Sequence, residues 1–273
     1  MQSARALLVF VGAALLASLA VRAHAAIICR VVADASSGAI ILQDGDCERR
    51  TTPASTFKIA LAAMGYDSGV LSDADTPVLP FRKGYPDWGG DAWRKPNSPS
   101  SWMRHSVVWY SQQIAAQLGV SGLRDYGQKF GYGNSDFSGD PGKNNALERS
   151  WISSSLKISP LEQVGFLTRL ITGKLPITRD AALNTMSIIE GSTTTGGWSI
   201  SGKTGSAFPR NADGSFNRAR GWGWYVGWAR NGEQTLVFAH LAQDERKEQG
   251  PAGLRARASL LADWDSLVPR MRR

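Results

Sequence analysis

The 273-residue chain carries 31 Lys and Arg against 23 Asp and Glu, a formal charge of +8, and 42% hydrophobic residues with ten tryptophans. That is core material for one large domain or two intimately joined ones, and no internal repeat or low-complexity linker interrupts it. The positive surplus is spread thinly, gathering only at Arg270, Arg272 and Arg273, so a solvated basic surface is expected and a nucleic-acid partner, which needs a concentrated basic stripe, is not.

Arg5 opens a short basic start, residues 6–21 run without a charge, and Ala23-His24-Ala25 has the small-x-small pattern of a signal-peptidase site. About 16 apolar residues fall short of the roughly 20 that cross a bilayer. Residues 1–25 are therefore expected to be a signal peptide cleaved on export to the periplasm, and residues 26–273 the mature, soluble domain with no membrane attachment. Without Arg5 and Arg22 the formal charge falls from +8 to +6.

Apolar runs at residues 27–33 and 39–42 flank Ala35-Ser36-Ser37-Gly38, which predicts a β-hairpin. Such a hairpin sets Cys29 and Cys47 opposite one another, within the Cα separation a disulfide needs, and an oxidising compartment would close it. The Asp44-Gly45-Asp46 turn works against this by ending the pairing before Cys47, so the bridge stays a candidate. No metal is expected, because the mature chain has only His105 and His240 and no cysteine pair at ligand spacing.

A helix is predicted from about Ser55, and others over residues 107–118 and 181–189. Ser159-Pro160-Leu161-Glu162 has a capping serine, a proline at the first helical position and a glutamate at the third, followed by Val164, Leu167, Leu170 and Ile171 at helical spacing. Residues 136–155, rich in Gly, Asn and Ser, read as a long functional loop. Strands follow at residues 198–207, 221–230 and 234–242, and residues 254–267 read as a closing amphipathic helix. The fold class is α/β, or more closely α+β: an antiparallel sheet from both chain ends (about 26–54 and 192–273) flanked by helices, with a mostly helical insertion (about 55–191) and a cleft between them.

Ser55 and Lys58 lie three residues apart, on one helical face. A serine hydroxyl needs a base, and a solvated lysine with a pKa near 10.4 is neutral at pH 7 in only about 1 molecule in 2,500. Burial among apolar groups would lower that pKa by several units. A second Ser-x-x-Lys, Ser154 to Lys157, precedes the Ser159 cap in loop-like sequence and is not expected to be catalytic. The first copy gains weight from Ser106-Val107-Val108, placed at the start of a helix, and from Lys203-Thr204-Gly205 on a strand. That order is the pattern of penicillin-recognising serine enzymes.

On these motifs, together with Pro53-Ala54, Trp109-Tyr110-Ser111, Tyr132-Gly133-Asn134, Trp151 and residues 223–228, the chain resembles the class D, oxacillinase-type serine β-lactamases over essentially its whole mature length. The resemblance implies the serine β-lactamase and penicillin-binding transpeptidase-like fold and hydrolysis of a small-molecule β-lactam through an acyl-Ser55 intermediate, giving antibiotic resistance. None of Glu48, Glu148, Glu162 or Glu190 has an asparagine four residues later, so the water-activating glutamate motif of class A relatives is missing. The resemblance implies instead that Lys58 carries CO2 as N6-carboxylysine, with CO2 or bicarbonate required and no separate cofactor. Val108 would keep the pocket apolar and Trp151 would donate its indole N–H to the carbamate. Ser106 would relay a proton to the lactam nitrogen beside Lys203. The N–H groups of Ser55 and Ser206 would form the oxyanion hole. Thr204, Gly205 and Arg257 would hold the substrate, Arg257 being favoured over Arg255 from the alignment of Pro251-Ala252-Gly253.

Bland readings stand beside these: Trp151 as a core residue, Ser106 as a helix cap, Tyr132-Gly133-Asn134 and Trp222, Trp224 and Trp228 as packing. The rival function is a penicillin-sensing or penicillin-binding module, acylated without efficient turnover. A Ser-His-Asp esterase is disfavoured because no Gly-x-Ser-x-Gly elbow occurs. A monomer or homodimer fits equally.

Overall fold

A computed structural model describes residues 25–271; the expected leader, all but Ala25, and the terminal Arg272 and Arg273 lie outside the described residues. Six strands are found among them: β1 (Ala26–Asp34), β2 (Ile40–Gly45), β3 (Gly191–Thr193), β4 (Ser199–Ala207), β5 (Trp222–Asn231) and β6 (Gln234–Gln243). They form one antiparallel sheet in the order β2-β1-β6-β5-β4-β3, in which Ala26 faces Gln243, so the two ends of the chain meet inside the sheet. The helices are α1 (Phe57–Asp67), α2 (Pro99–His105), α3 (Val108–Lys129), α4 (Ala146–Arg149), α5 (Pro160–Ile171), α6 (Arg179–Ser187) and α7 (Ala252–Met271). No helix among the described residues is long and apolar enough to cross a membrane.

Strand periodicity divides the core into two layers. On β6, Val237, Ala239 and Leu241 point to the side of α1 and α5, while Leu236 and Phe238 point to α7. β1 divides likewise, with Val31 and Ala33 on the first side and Val32 on the second. Helix α7 answers with Leu260, Trp264 and Leu267 at helical spacing, and the Trp264 ring lies 5.3 Å from that of Phe238. Because both faces of the sheet are covered, its central strands read as continuous apolar runs.

The hairpin forms, but in a different register from the expected one. Cys29 faces Gly45, with an irregularity at Val32/Ala33, and Cys47 sits two residues beyond the end of β2. The Asp46 N–H donates to the Ile28 carbonyl at 2.8 Å and holds the chain alongside β1 past the turn. Cys29 and Cys47 are thereby brought to a Cα separation of 5.0 Å and are bridged. Closing an 18-residue separation limits the unfolded chain, so the double variant Cys29→Ser/Cys47→Ser is expected to lose about 3 kcal/mol. A lower denaturant midpoint in the double variant measures this.

The Ser159 cap is present as read. Its hydroxyl accepts from the Glu162 N–H at 3.2 Å, and the Glu162 carboxylate accepts from the Ser159 N–H at 2.9 Å. The seven-residue α2 went unpredicted although it starts with the same device, Ser98 as cap, Pro99 at the first position and Ser101 reciprocating. This corrects the placement of Ser106, which ends α2 rather than only opening the next helix. Helix α3 runs past the expected residue 118 because Gly119, at φ 68°, breaks the helical path without ending it. Helix α6 starts two residues early, where the Thr178 hydroxyl caps the Ala181 N–H at 3.2 Å.

Candidate active site

Helix α1 explains why a lysine leaves water. Every residue from Phe57 to Tyr66 is buried, so the helix has no solvent face, and a lysine anywhere in its first turns must lie inside the protein. Lys58 is wholly buried, and its Nζ lies 3.1 Å from the Oγ of Ser55. Ser55 belongs to the 3₁₀ turn Ala54–Thr56 that leads into α1, and it remains half-buried where the cleft opens. Burial, and secondarily repulsion from Lys203, hold the Lys58 amine well below the usual lysine range.

On β4 the alternation of side chains sorts the Lys-Thr-Gly motif. Lys203 points to the helical side, where its Nζ donates to the Ser106 Oγ at 3.1 Å and to the Thr204 carbonyl at 3.3 Å. Burial pushes Lys203 down to about 8; Glu190 partly opposes this and Arg257 adds to it. Ser106 is held in the left-handed conformation at φ 56°, ψ 36°, between α2 and α3. Its neighbours Trp102 and Val107 are fully buried and joined by a Val107 N–H to Trp102 carbonyl bond of 3.1 Å, which fixes that sharp corner.

Thr204 and Ser206 point to the α7 side. The Gly253 N–H, in the first turn of α7, donates to the Ser206 Oγ at 2.8 Å. Further along α7, Arg257 joins Lys203, Thr204 and Met103 around a small recess of about 90 Å³. Arg255 is turned away, with its guanidinium on the Asp244 carboxylate at 2.7 and 3.2 Å and on the Gln249 and Gly250 carbonyls. Of the two arginines, Arg257 therefore faces the recess beside Lys203 and Thr204.

Gly205 sets the spacing. A Cβ there would lie 2.8 Å from the Pro53 carbonyl oxygen and 3.0 Å from the Thr56 side chain, and a Cβ on Gly253 would lie 2.6 Å from the Gly205 oxygen. Only glycine lets the Ser55 turn, β4 and the start of α7 stack backbone on backbone.

The resulting cleft, of about 420 Å³, brings together Ser55, Ser106, Val108, Lys203, Thr204 and Ser206. Its outer walls include Trp88, Ile152 and Leu254, which sequence reasoning missed; Trp88 is 65% exposed and Leu254 52% exposed. A large aromatic in the exposed, glycine-flanked Pro86-Asp87-Trp88-Gly89 was the available signal.

Trp151 is fully buried and does not line the cleft. Its ring lies 5.3 Å from that of Phe57, the residue before Lys58, and its carbonyl accepts from the Thr52 hydroxyl at 2.8 Å. The indole N–H groups of Trp93, Trp102, Trp109 and Trp224 all donate to protein groups, and those of Trp222 and Trp264 are buried without a partner among the described residues. Tyr132 is structural: it is buried edge-on to Phe57 at 5.6 Å and to Phe166 at 5.2 Å, and burial raises its phenol pKa. Trp224 and Trp228 are core residues, and Trp222 packs partly buried against them. Among the described residues no cluster of His, Cys, Asp and Glu could hold a metal ion.

Residues 28–263 match the penicillin binding protein transpeptidase domain. The chain is 40% identical to the β-lactamase OXA-9 of Klebsiella pneumoniae over 263 residues, 96% of each chain. It is 36% identical to the β-lactamase OXA-1 of Escherichia coli, covering 78% of this chain and 75% of that one. Among solved structures, the OXA-427 class D β-lactamase superposes with a TM-score of 0.81 at 42% identity, covering 89% and 99% of the two chains. The C-terminal domain of the Bacillus licheniformis BlaR penicillin receptor gives a TM-score of 0.72 at 26% identity, covering 87% and 89%.

Proposed function

Because this chain belongs to the class D β-lactamases, within the penicillin-binding transpeptidase family, we propose that it opens the four-membered amide of penicillins and related antibiotics through an acyl-Ser55 intermediate, with Lys58 as the base of both half-reactions. The observation that carries this reading is the wholly buried Lys58 amine, 3.1 Å from Ser55 Oγ and held below its usual pKa. A neutral amine there can take the Ser55 proton as the oxygen attacks the lactam carbonyl.

The developing oxyanion would lie at the N–H groups of Ser55 and Ser206, the latter on β4 beyond the reach of the three-residue β3. Ser106 would pass its proton to the departing lactam nitrogen while Lys203, 3.1 Å away, restores the hydroxyl and supplies positive potential. Thr204 and Arg257 would receive the substrate carboxylate. Arg257→Gln is expected to raise KM by about 10- to 100-fold with little change in kcat, as fits a charge-assisted contact made equally in ground and transition states; steady-state kinetics check this.

A carboxylated Lys58 fits the residues present: the amine is wholly buried, its pKa is held well below the usual lysine range, and it lies one residue from Phe57, whose ring packs against that of Trp151. Bound CO2 would turn the amine into an anionic base able to activate the hydrolytic water. The chain's share of the work is to keep that amine unprotonated and shielded.

The test is turnover of a chromogenic β-lactam across pH, in degassed buffer with and without bicarbonate. The sign follows from the two lysines. Below the depressed pKa of Lys58 the amine protonates, so activity should fall in acid and bicarbonate should raise it on that limb. Above about 8, Lys203 loses its charge, so activity should fall again, with no response to bicarbonate. Equal rates with and without bicarbonate after degassing would remove the carbamate. The penicillin-receptor relative keeps a second reading in view, that of an acylated sensor, whose mark would be one stoichiometric burst without turnover.

A further inference from the structure

Thr52 comes three residues before Ser55, is wholly buried and does not line the catalytic cleft. Its hydroxyl reaches instead into residues 150–155, which form neither helix nor strand and whose buried backbone groups must find partners elsewhere. It donates to the Trp151 carbonyl at 2.8 Å and accepts from the Ser153 N–H at 3.0 Å. Those two groups belong to the peptide units on either side of Ile152, so one side chain fixes both. Ile152 is a wall of the catalytic cleft, and the Trp151 ring lies 5.3 Å from that of Phe57, the residue before Lys58.

Thr52 is itself held firmly. Its carbonyl accepts from the Trp224 indole N–H on β5 at 3.0 Å, and the neighbouring Thr51 exchanges backbone hydrogen bonds of 3.0 and 2.8 Å with Ile158. On the far side Ser153, at φ 54°, is tied to the connection between β4 and β5: its Oγ accepts from the Phe208 N–H and its carbonyl from Arg210 Nε, each at 3.2 Å. Of these contacts, the Thr52 hydroxyl alone bonds a peptide on each side of Ile152. The task calls for a group that donates and accepts at once. Serine can do both, whereas valine, with the shape of threonine, can do neither.

We propose, on the acyl-Ser55 reading above, that Thr52 is a positioning residue for deacylation, its hydroxyl holding Ile152 and Trp151 in place relative to the Ser55 turn. Attack by Ser55 depends on its 3.1 Å contact with Lys58, which the 3₁₀ turn and α1 set by themselves. Release of the acyl group needs a water delivered to Lys58 as well, in a cleft whose wall at Ile152 moves with residues 151–153. A misplacement of about 1 Å there costs on the order of 10²-fold in rate.

The experiment measures acylation and deacylation separately, by quenched-flow mass spectrometry with a chromogenic cephalosporin in saturating bicarbonate, on the wild type, Thr52→Val and Thr52→Ser. Amide hydrogen exchange over residues 150–156 of the free proteins accompanies it. Thr52→Val is expected to deacylate about 10- to 100-fold more slowly while acylating within about threefold of the wild type, and to exchange faster over residues 150–156. Thr52→Ser should restore both. Should Thr52→Val not fold, Thr52→Ala leaves room for a water to bridge the two peptides and should show the same split with a smaller change. Wild-type deacylation in Thr52→Val, an equal fall in both steps, or a Thr52→Ser protein as slow as Thr52→Val would overturn the positioning role while leaving the acyl-Ser55 reading intact. A wild type that acylates and never releases product would remove the hydrolytic reading and this role together, before any variant is compared.

Discussion

Lys58→Ala is expected to lower kcat by about 10⁴-fold, since on the proposed mechanism one group serves as base in both half-reactions. Whatever Ser55 still acylates should then persist, so intact-mass spectrometry should find the protein heavier by one substrate molecule long after the wild type has returned to its free mass. Turnover within tenfold of wild type would take the base role away from Lys58. The same residue should leave a mark on stability. Its folded pKa lies below the unfolded value near 10.4, so between those two values the unfolded chain binds a proton that the folded protein does not. That difference weakens the fold at neutral pH, and the loss shrinks as pH rises toward about 10.4. Lys58→Met, which keeps the packed volume and removes the amine, should melt at a higher temperature at pH 7 and show a flatter dependence on pH.

The second large effect concerns Ser106, where activity and stability should move in opposite directions. A non-glycine residue at φ 56° costs about 1–2 kcal/mol, and glycine relieves most of it. Ser106→Gly should therefore be more stable by about 1 kcal/mol while acylation falls by about 10²- to 10³-fold, because the hydroxyl that bridges Lys203 to the leaving nitrogen is gone. Ser106→Ala should lose the same activity without the gain in stability. Thermal melts and pre-steady-state acylation rates on the two variants separate strain from chemistry. If Ser106→Gly acylates at the wild-type rate, the serine is only a corner residue.

Residues whose role follows from local chemistry were legible in the sequence. The Ser159 capping box, the strands of the carboxyl half and the three motif blocks each announce themselves within a few neighbours, and the sheet built from both chain ends follows from where the strands fall. What escaped depends on contacts between distant segments. Helix α2 has the same Ser-Pro opening as α5, but seven residues with a serine in place of glutamate give a weak period. The register that puts Cys29 across from Gly45 depends on an irregularity in β1 that no spacing rule supplies. The walls formed by Trp88 and Leu254 belong to a loop and a helix that meet only in the folded chain. The dryness of Lys58 was deducible as a chemical requirement; its cause, a helix without a solvent face, needed the fold.

The glycine-on-glycine contact of β4 with α7, and the contact of β4 with the serine turn, give the enzyme a built-in ruler. The segments that carry the Ser55 hydroxyl and, one turn along α7, the Arg257 side chain are main chains in direct contact with β4, with no side chain packed between them. On the proposed mechanism, substitutions in the outer walls can thus accumulate without altering the spacing of the backbone segments that carry Ser55 and Arg257. A substitution within the stack changes that spacing for every substrate at once.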